Sequence, residues 1–183
     1  MAALLTVIAA FSAQGAAGAS ELSSLSSSAL GSFGVPSVPN IDANSVVRKV
    51  TSESDAAART NHDIRVNNIV MYTNAKRAQH GLPPVTVRPE LSAIAQDWAE
   101  RNMRENHLYH RPQHWNVYPG YIPAGGENIL QAWDDYSDEY LVQLWYDSPG
   151  HKKIMLDPRA KSIGVGIVIA PNGKLYAVQN YGR

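Results

Sequence analysis

Apolar positions recur along this chain with two different periods. From His62 onward, Val66, Ile69, Val70 and Thr73 keep helical spacing, Gly81 supplies a stop, and Pro83-Pro84 lie beyond it. A second helix is predicted with Pro89 in its first turn and Leu91, Ile94, Ala95, Trp98, Ala99 and Met103 as one apolar stripe. A third starts at Ser137 as N-cap and carries Leu141, Leu144 and Trp145. A short fourth is announced by Ser148 as cap and Pro149 at the first helical position, and runs to Met155. The period then drops to two. Ile163, Val165, Ile167 and Ile169 alternate with smaller residues, Asn172-Gly173 makes a turn, and the segment from Leu175 to Gln179 returns. Helices followed by a terminal hairpin predict an α+β fold with helices packed on an antiparallel sheet. The stretch from Asn106 to Asp135 shows neither period, and loops of that length are usually functional or hold further elements.

The residues before His62 read differently. An apolar run from Ala2 to Phe11, then small residues and Ala17-Gly18-Ala19, predicts a signal peptide over residues 1–19, although no basic residue precedes the run. The run is too short and too poor in bulky side chains to span a membrane; a buried apolar helix is its other reading. Residues 20–61 are serine-rich, with Ser23, Ser24, Ser26, Ser27 and Ser28 followed by Pro36 and Pro39, and are expected to form a flexible linker. Val46-Val47 could dock the far end of that linker on the domain expected over residues 62–183.

Composition narrows the function classes. Sixteen Lys and Arg balance sixteen Asp and Glu, which argues against nucleic-acid binding, since that needs a basic face. No cysteine is present, so disulfides, thiolate metal sites and a cysteine nucleophile are all excluded. Four of the six histidines, His107, His110, His114 and His151, fall within 45 residues, alongside the run Gly125-Gly126-Glu127-Asn128. Imidazoles beside a carboxyl group can ligate a divalent ion or move protons near neutral pH, and the glycines allow the tight bend that would aim Glu127 inward. Spacings of 17 residues from His110 to Glu127 and 24 from Glu127 to His151 do not by themselves establish convergence.

The order of these residues carries a resemblance. Asn74-x-x-Arg77, Gly81-Leu82-Pro83-Pro84 and Leu91…Ala95…Trp98-Ala99 are followed by Tyr109-His110-Arg111-Pro112 and Gly126-Glu127-Asn128-Ile129. Then come Trp145-Tyr146-Asp147-Ser148-Pro149-Gly150-His151, Ile163-Gly164-Val165-Gly166 and Tyr176-Ala177-Val178-Gln179-Asn180-Tyr181-Gly182. Over about residues 62 to 183 the chain resembles the CAP superfamily, or SCP domain, and the lack of cysteine resembles its bacterial branch. The resemblance implies an αβα sandwich with an antiparallel sheet between helices. It also implies a central cavity whose two histidines and two acidic residues can bind zinc or another divalent ion. On this chain His110, Glu127 and His151 match three of those ligands, while Ser148 stands where the second acid would be. His107 takes the place of His110 if the alignment slips by three residues. Asp147 is the neighbouring substitute for the missing acid, whereas Asp138 and Glu139 are expected on a solvated face. Asn128 is expected to pin loop backbone, Trp98 and Trp145 to lie in the core, and Trp115, Tyr118, Tyr121 and Trp133 to be partly buried or to line the rim.

The reading that follows is a secreted protein, extracellular or associated with the cell envelope. It would be a binding module for a small apolar ligand, an envelope component or a protein partner, with an accessory divalent-ion site. The candidate cavity set is His110, Glu127, Asn128, Ser148 and His151. A metal-dependent hydrolase of peptides, esters or peptidoglycan is the alternative, with Glu127 as base. A metal-free version with Ser148 as nucleophile is disfavoured because a cap hydroxyl is expected to be committed to backbone amides. A domain that simply presents loops to a partner is the third reading, and oligomeric state is left open.

Overall fold

The computed structural model describes residues 43–183; the expected signal peptide and the first part of the expected linker lie outside the described residues. Helix α1 runs from Ala43 to Gln79. Residues 43–61, expected as flexible linker, are therefore helical, although every side chain from Val47 to Asn61 is exposed. The hydroxyls in this stretch bond back onto their own helix: Thr51 to the Val47 carbonyl at 3.0 Å, Ser54 to Thr51 at 2.8 Å and Thr60 to Ala56 at 2.9 Å. An alanine run at 56–58 adds intrinsic helix preference, and neither Gly nor Pro interrupts it. Among its described side chains, α1 acquires a buried face only past His62, formed by Ile69, Val70, Thr73 and Arg77. It ends where Gly81 adopts φ +67°.

The remaining elements are β1 (Thr86–Val87), α2 (Pro89–Glu105), a 3-10 turn (His114–Val117), β2 (Ala124–Trp133), α3 (Asp138–Asp147), α4 (Pro149–Met155), β3 (Ser162–Ile169) and β4 (Lys174–Gly182). The predicted hairpin is β3–β4, antiparallel, pairing Val165 with Gln179. The sheet is mixed rather than purely antiparallel. Its order is β1-β3-β4-β2, and β1 joins β3 in parallel. β2 occupies part of the stretch that showed no period, because its run Ala-Gly-Gly-Glu-Asn-Ile offers no alternation of apolar and polar residues.

Alternation along the strands assigns each face. Ile163, Val165 and Ile167 share one cluster with Ile69 of α1, Trp145 of α3 and Met155 of α4. Gly164 and Gly166 face α2, which lies directly on them, since a Cβ at either would sit within 2.4 Å of backbone atoms of Leu91, Ser92, Ala95 or Gln96. Trp98, Ala99, Ile129 and Val178 pack on this second side. The result is helix–sheet–helix layering, the αβα sandwich expected. Trp98 and Trp145 are core residues as expected, with their indole N–H groups donating to the carbonyls of Tyr109 (2.9 Å) and Ile129 (3.1 Å). Asp138 departs from expectation. It is nearly buried and accepts from Arg65 Nε (2.8 Å) and Asn68 Nδ2 (3.0 Å), a latch between α1 and α3.

Candidate ligand-binding cleft

Edge strand β2 carries the site. Between Ala124 and Gly126 its pairing with β4 is interrupted by a bulge, and Gly126 adopts φ +146°. A Cβ at Gly126 would meet Ile154 of α4 at 2.8 Å, so glycine lets α4 close on this edge. Beyond the bulge Glu127 pairs with Asn180 and Asn128 with Gln179, which turns the two side chains to opposite faces.

Glu127 is buried, 2% exposed, beneath the segment that follows α2. Its Oε1 lies 3.0 Å from His110 Nδ1 and accepts the Arg111 backbone N–H at 2.9 Å. That segment is fastened in turn to α2: the Tyr109 N–H donates to Asn102 Oδ1 at 3.1 Å, and the Arg111 guanidinium lies over the Trp98 ring at 4.6 Å and donates to the Ile94 carbonyl at 3.1 Å. Glu127 Oε2 is buried and, among the described residues, has no hydrogen-bond partner. His107, the alternative to His110, stacks on Tyr109 outside this arrangement.

Asn128 faces α4. Its Nδ2 donates to the His151 carbonyl and to Gln179 Oε1, both at 3.2 Å, so it anchors the start of α4. His151 is half-buried there. Ser148 is the residue at the N-cap of α4, but its side chain makes no cap hydrogen bond, contrary to expectation. The cap argument against Ser148 as nucleophile therefore does not stand; among the described residues, however, no hydrogen bond links Ser148 to His151. Asp147 is exposed on α3 and accepts from Gln143, so it does not replace the missing acid.

The structure brings to the site one of the clustered histidines that was not in the candidate cavity set. His114, at the start of the 3-10 turn, lines a cleft of about 460 Å³ with His110, Trp115, Gly126, Glu127 and Ile154. Its ring is held edge-on between Trp115 (5.2 Å) and Tyr118 (6.2 Å). Tyr118 is buried; its hydroxyl donates, shared, to the Gly126 carbonyl and Asn180 Oδ1, each at 3.2 Å, which ties the 3-10 turn to the sheet. Of the other loop aromatics only Trp115, 57% exposed, borders the cleft; Tyr121 donates to Glu90 and Trp133 lies at the far end of β2.

An ion held by His110, Glu127 and His151 does not fit this arrangement. Among the described residues no three His, Cys, Asp or Glu side chains gather closely enough to hold one, and of Glu127 only Oε1 is engaged, by His110 and the Arg111 backbone N–H.

Both half-buried imidazoles have a pKa below the ordinary 6.5. Burial is the main cause for His114, with the His110 charge adding to it and Glu127 opposing; for His151 burial comes first and His110 second. As pH falls through 6.5, the unfolded chain takes up these protons before the folded one. Their effect on stability is absent above that pH and grows as a loss below it, until the lowered folded values are passed. Melting temperature is expected to be flat above about pH 7 and to fall as pH drops below 6.5, with a shallower fall in a His114→Gln/His151→Gln double variant. An identical fall in the double variant would refute this origin.

The profile of the CAP family, described as the cysteine-rich secretory protein family, matches residues 70–181. The uncharacterized protein YkwD of Bacillus subtilis is 30% identical over 122 residues, covering 63% of this chain and 46% of that protein. The chain thus spans about half the length of this relative. Among solved structures, an outer surface protein from Borrelia burgdorferi is similar at 16% identity and TM-score 0.53, over 62% of this chain and 90% of that one. An extracellular SCP-domain protein from Bacillus anthracis is similar at 20% identity and TM-score 0.53, over 67% of this chain and 41% of that one. Both structures share the fold.

Proposed function

The chain belongs to the CAP, or cysteine-rich secretory protein, family, and from that premise we propose that it is an exported binding module whose ligand seats over Glu127. The observation that carries this reading is the buried, unpartnered Glu127 Oε2 in a cleft bordered by an exposed tryptophan. A buried acceptor left unpaired costs about 1–3 kcal/mol, and a ligand hydroxyl or N–H reaching Oε2 relieves that cost. Trp115 offers a flat apolar face beside it, and His114 a polar edge. A ligand that joins an apolar face to a hydrogen-bond donor, such as a sugar unit of a cell-envelope polymer, matches both. His110, Arg111 and Asn128 position the site: the first two hold Oε1, and Asn128 holds α4 against the edge strand. Export is supported by the apolar leader pattern, and the similar proteins of Bacillus anthracis and Borrelia burgdorferi are described as extracellular and outer surface proteins. Among the described residues no helix is long and apolar enough to cross a membrane.

The test is titration calorimetry with soluble peptidoglycan fragments. Glu127→Gln keeps the shape and the acceptor for Arg111 but presents an amide donor where Oε2 stood, so it is expected to weaken binding about tenfold, as is Trp115→Ala. Unchanged affinity in both variants would overturn the reading.

A further inference from the structure

A second concavity adjoins the cleft. Gly125, Ile154 and Arg183 border both, but this groove follows α4 and the turn after it and encloses about 870 Å³, nearly twice the volume of the cleft at about 460 Å³. Its walls are apolar where Pro149, Ile154, Leu156 and Pro158 meet. Its rim carries four cations, Lys152, Lys153, Arg159 and Arg183. Among the described residues one side-chain carboxylate lines the groove against them. Asp157 accepts from Arg159 Nε at 3.1 Å and Arg183 Nε at 2.9 Å, so two guanidinium groups share a single anion. Lys152 lies over the Tyr146 ring at 3.9 Å, and among the described residues neither it nor Lys153 has a carboxylate partner. In a chain with zero formal charge this is a local excess of positive charge around an apolar trough.

We propose that this groove docks an acidic peptide segment of a partner protein, with aliphatic side chains on the trough and flanking Asp or Glu side chains on the rim. An apolar trough alone would fit any greasy chain, and a basic rim alone any polyanion; the two together select a chain that alternates both characters. Helix α4 is seven residues and about 10 Å long, the span of about three extended residues, so a short linear segment suffices. The groove lies outside the Glu127 cleft, and this inference stands whether or not the cleft binds sugar.

The experiment is fluorescence anisotropy on the full chain with a fluorescein-labelled hexapeptide, Glu-Leu-Asp-Glu-Leu-Asp, and its counterpart with lysine at every acidic position. Saturable binding of the acidic peptide alone is expected. It should weaken about tenfold in Lys153→Glu, less in Lys153→Ala, and stay unchanged in Trp115→Ala. Lys153 is exposed, and an unaltered melting temperature separates lost docking from lost fold. Equal binding of the two peptides, indifference to Lys153→Glu, or inorganic polyphosphate binding where the acidic peptide does not would each overturn the proposal.

Discussion

Replacing Arg77 with alanine is expected to cost the domain about 4 kcal/mol, a large share of the 5–15 kcal/mol that usually separates folded from unfolded. The Arg77 side chain is fully buried. Its Nε donates to the Pro83 carbonyl at 3.0 Å, one terminal nitrogen to Met155 (2.7 Å) and Asp157 (3.1 Å), and the other to Ala160 (3.2 Å). One guanidinium thus ties the turn after α1 to the segment between α4 and β3. Burial pulls its pKa down, while Tyr181 and Asp157 oppose that shift, and an arginine remains charged in either case. Alanine would leave four carbonyl groups facing a cavity. Lysine, with a single nitrogen, cannot reach all four, so Arg77→Lys should recover less than half of the loss. Urea unfolding followed by tryptophan fluorescence reads both variants, and a loss below about 1 kcal/mol for alanine would contradict the clamp.

Gly164→Ala is expected to cost about 3 kcal/mol, at the upper end of overpacking effects. The added Cβ would lie 2.0 Å from the Leu91 carbonyl carbon and 2.2 Å from the Ser92 nitrogen. Those are backbone atoms of α2, so no side-chain rotation relieves the contact and the whole helix must lift from β3. Gly166→Ala meets the same obstacle one turn on, at 2.3 Å from the Gln96 nitrogen. Because α2 also fastens the His110 segment, both variants should weaken the binding proposed at Glu127 as well as stability. A thermal melt within about 1 °C of the parent for Gly164→Ala would show that α2 does not need this close approach.

Most of the architecture was legible because it rests on local periodicity. The stripe from Leu91 to Ala99 and the alternation from Ile163 to Ile167 each create an apolar face that one helix or strand must bury. Where burial did not drive the element, reading failed. The described side chains in the first half of α1 form no buried face, and β2 opens on a glycine bulge and buries polar Glu127 and Asn128. The pairing of Asn74-x-x-Arg77 was visible only as a pattern. Its meaning emerged when Asn74 was seen to exchange two hydrogen bonds with the Val85 backbone while Arg77 gathers four carbonyls.

Order and spacing along the chain were enough for the layers and the family, and for naming His110, Glu127 and His151 as candidates, because helix and strand periods and a run of ordered motifs are written in one dimension. Which of those residues meet was settled in three dimensions. The register of β2 on β4 and the fastening of the His110 segment to α2 bring His110 onto Glu127, leave His151 on α4, and admit His114 to the cleft. The unpartnered Oε2 and the basic groove beside it follow from packing between segments far apart in sequence, where a side chain's partners depend on how distant backbones are aligned.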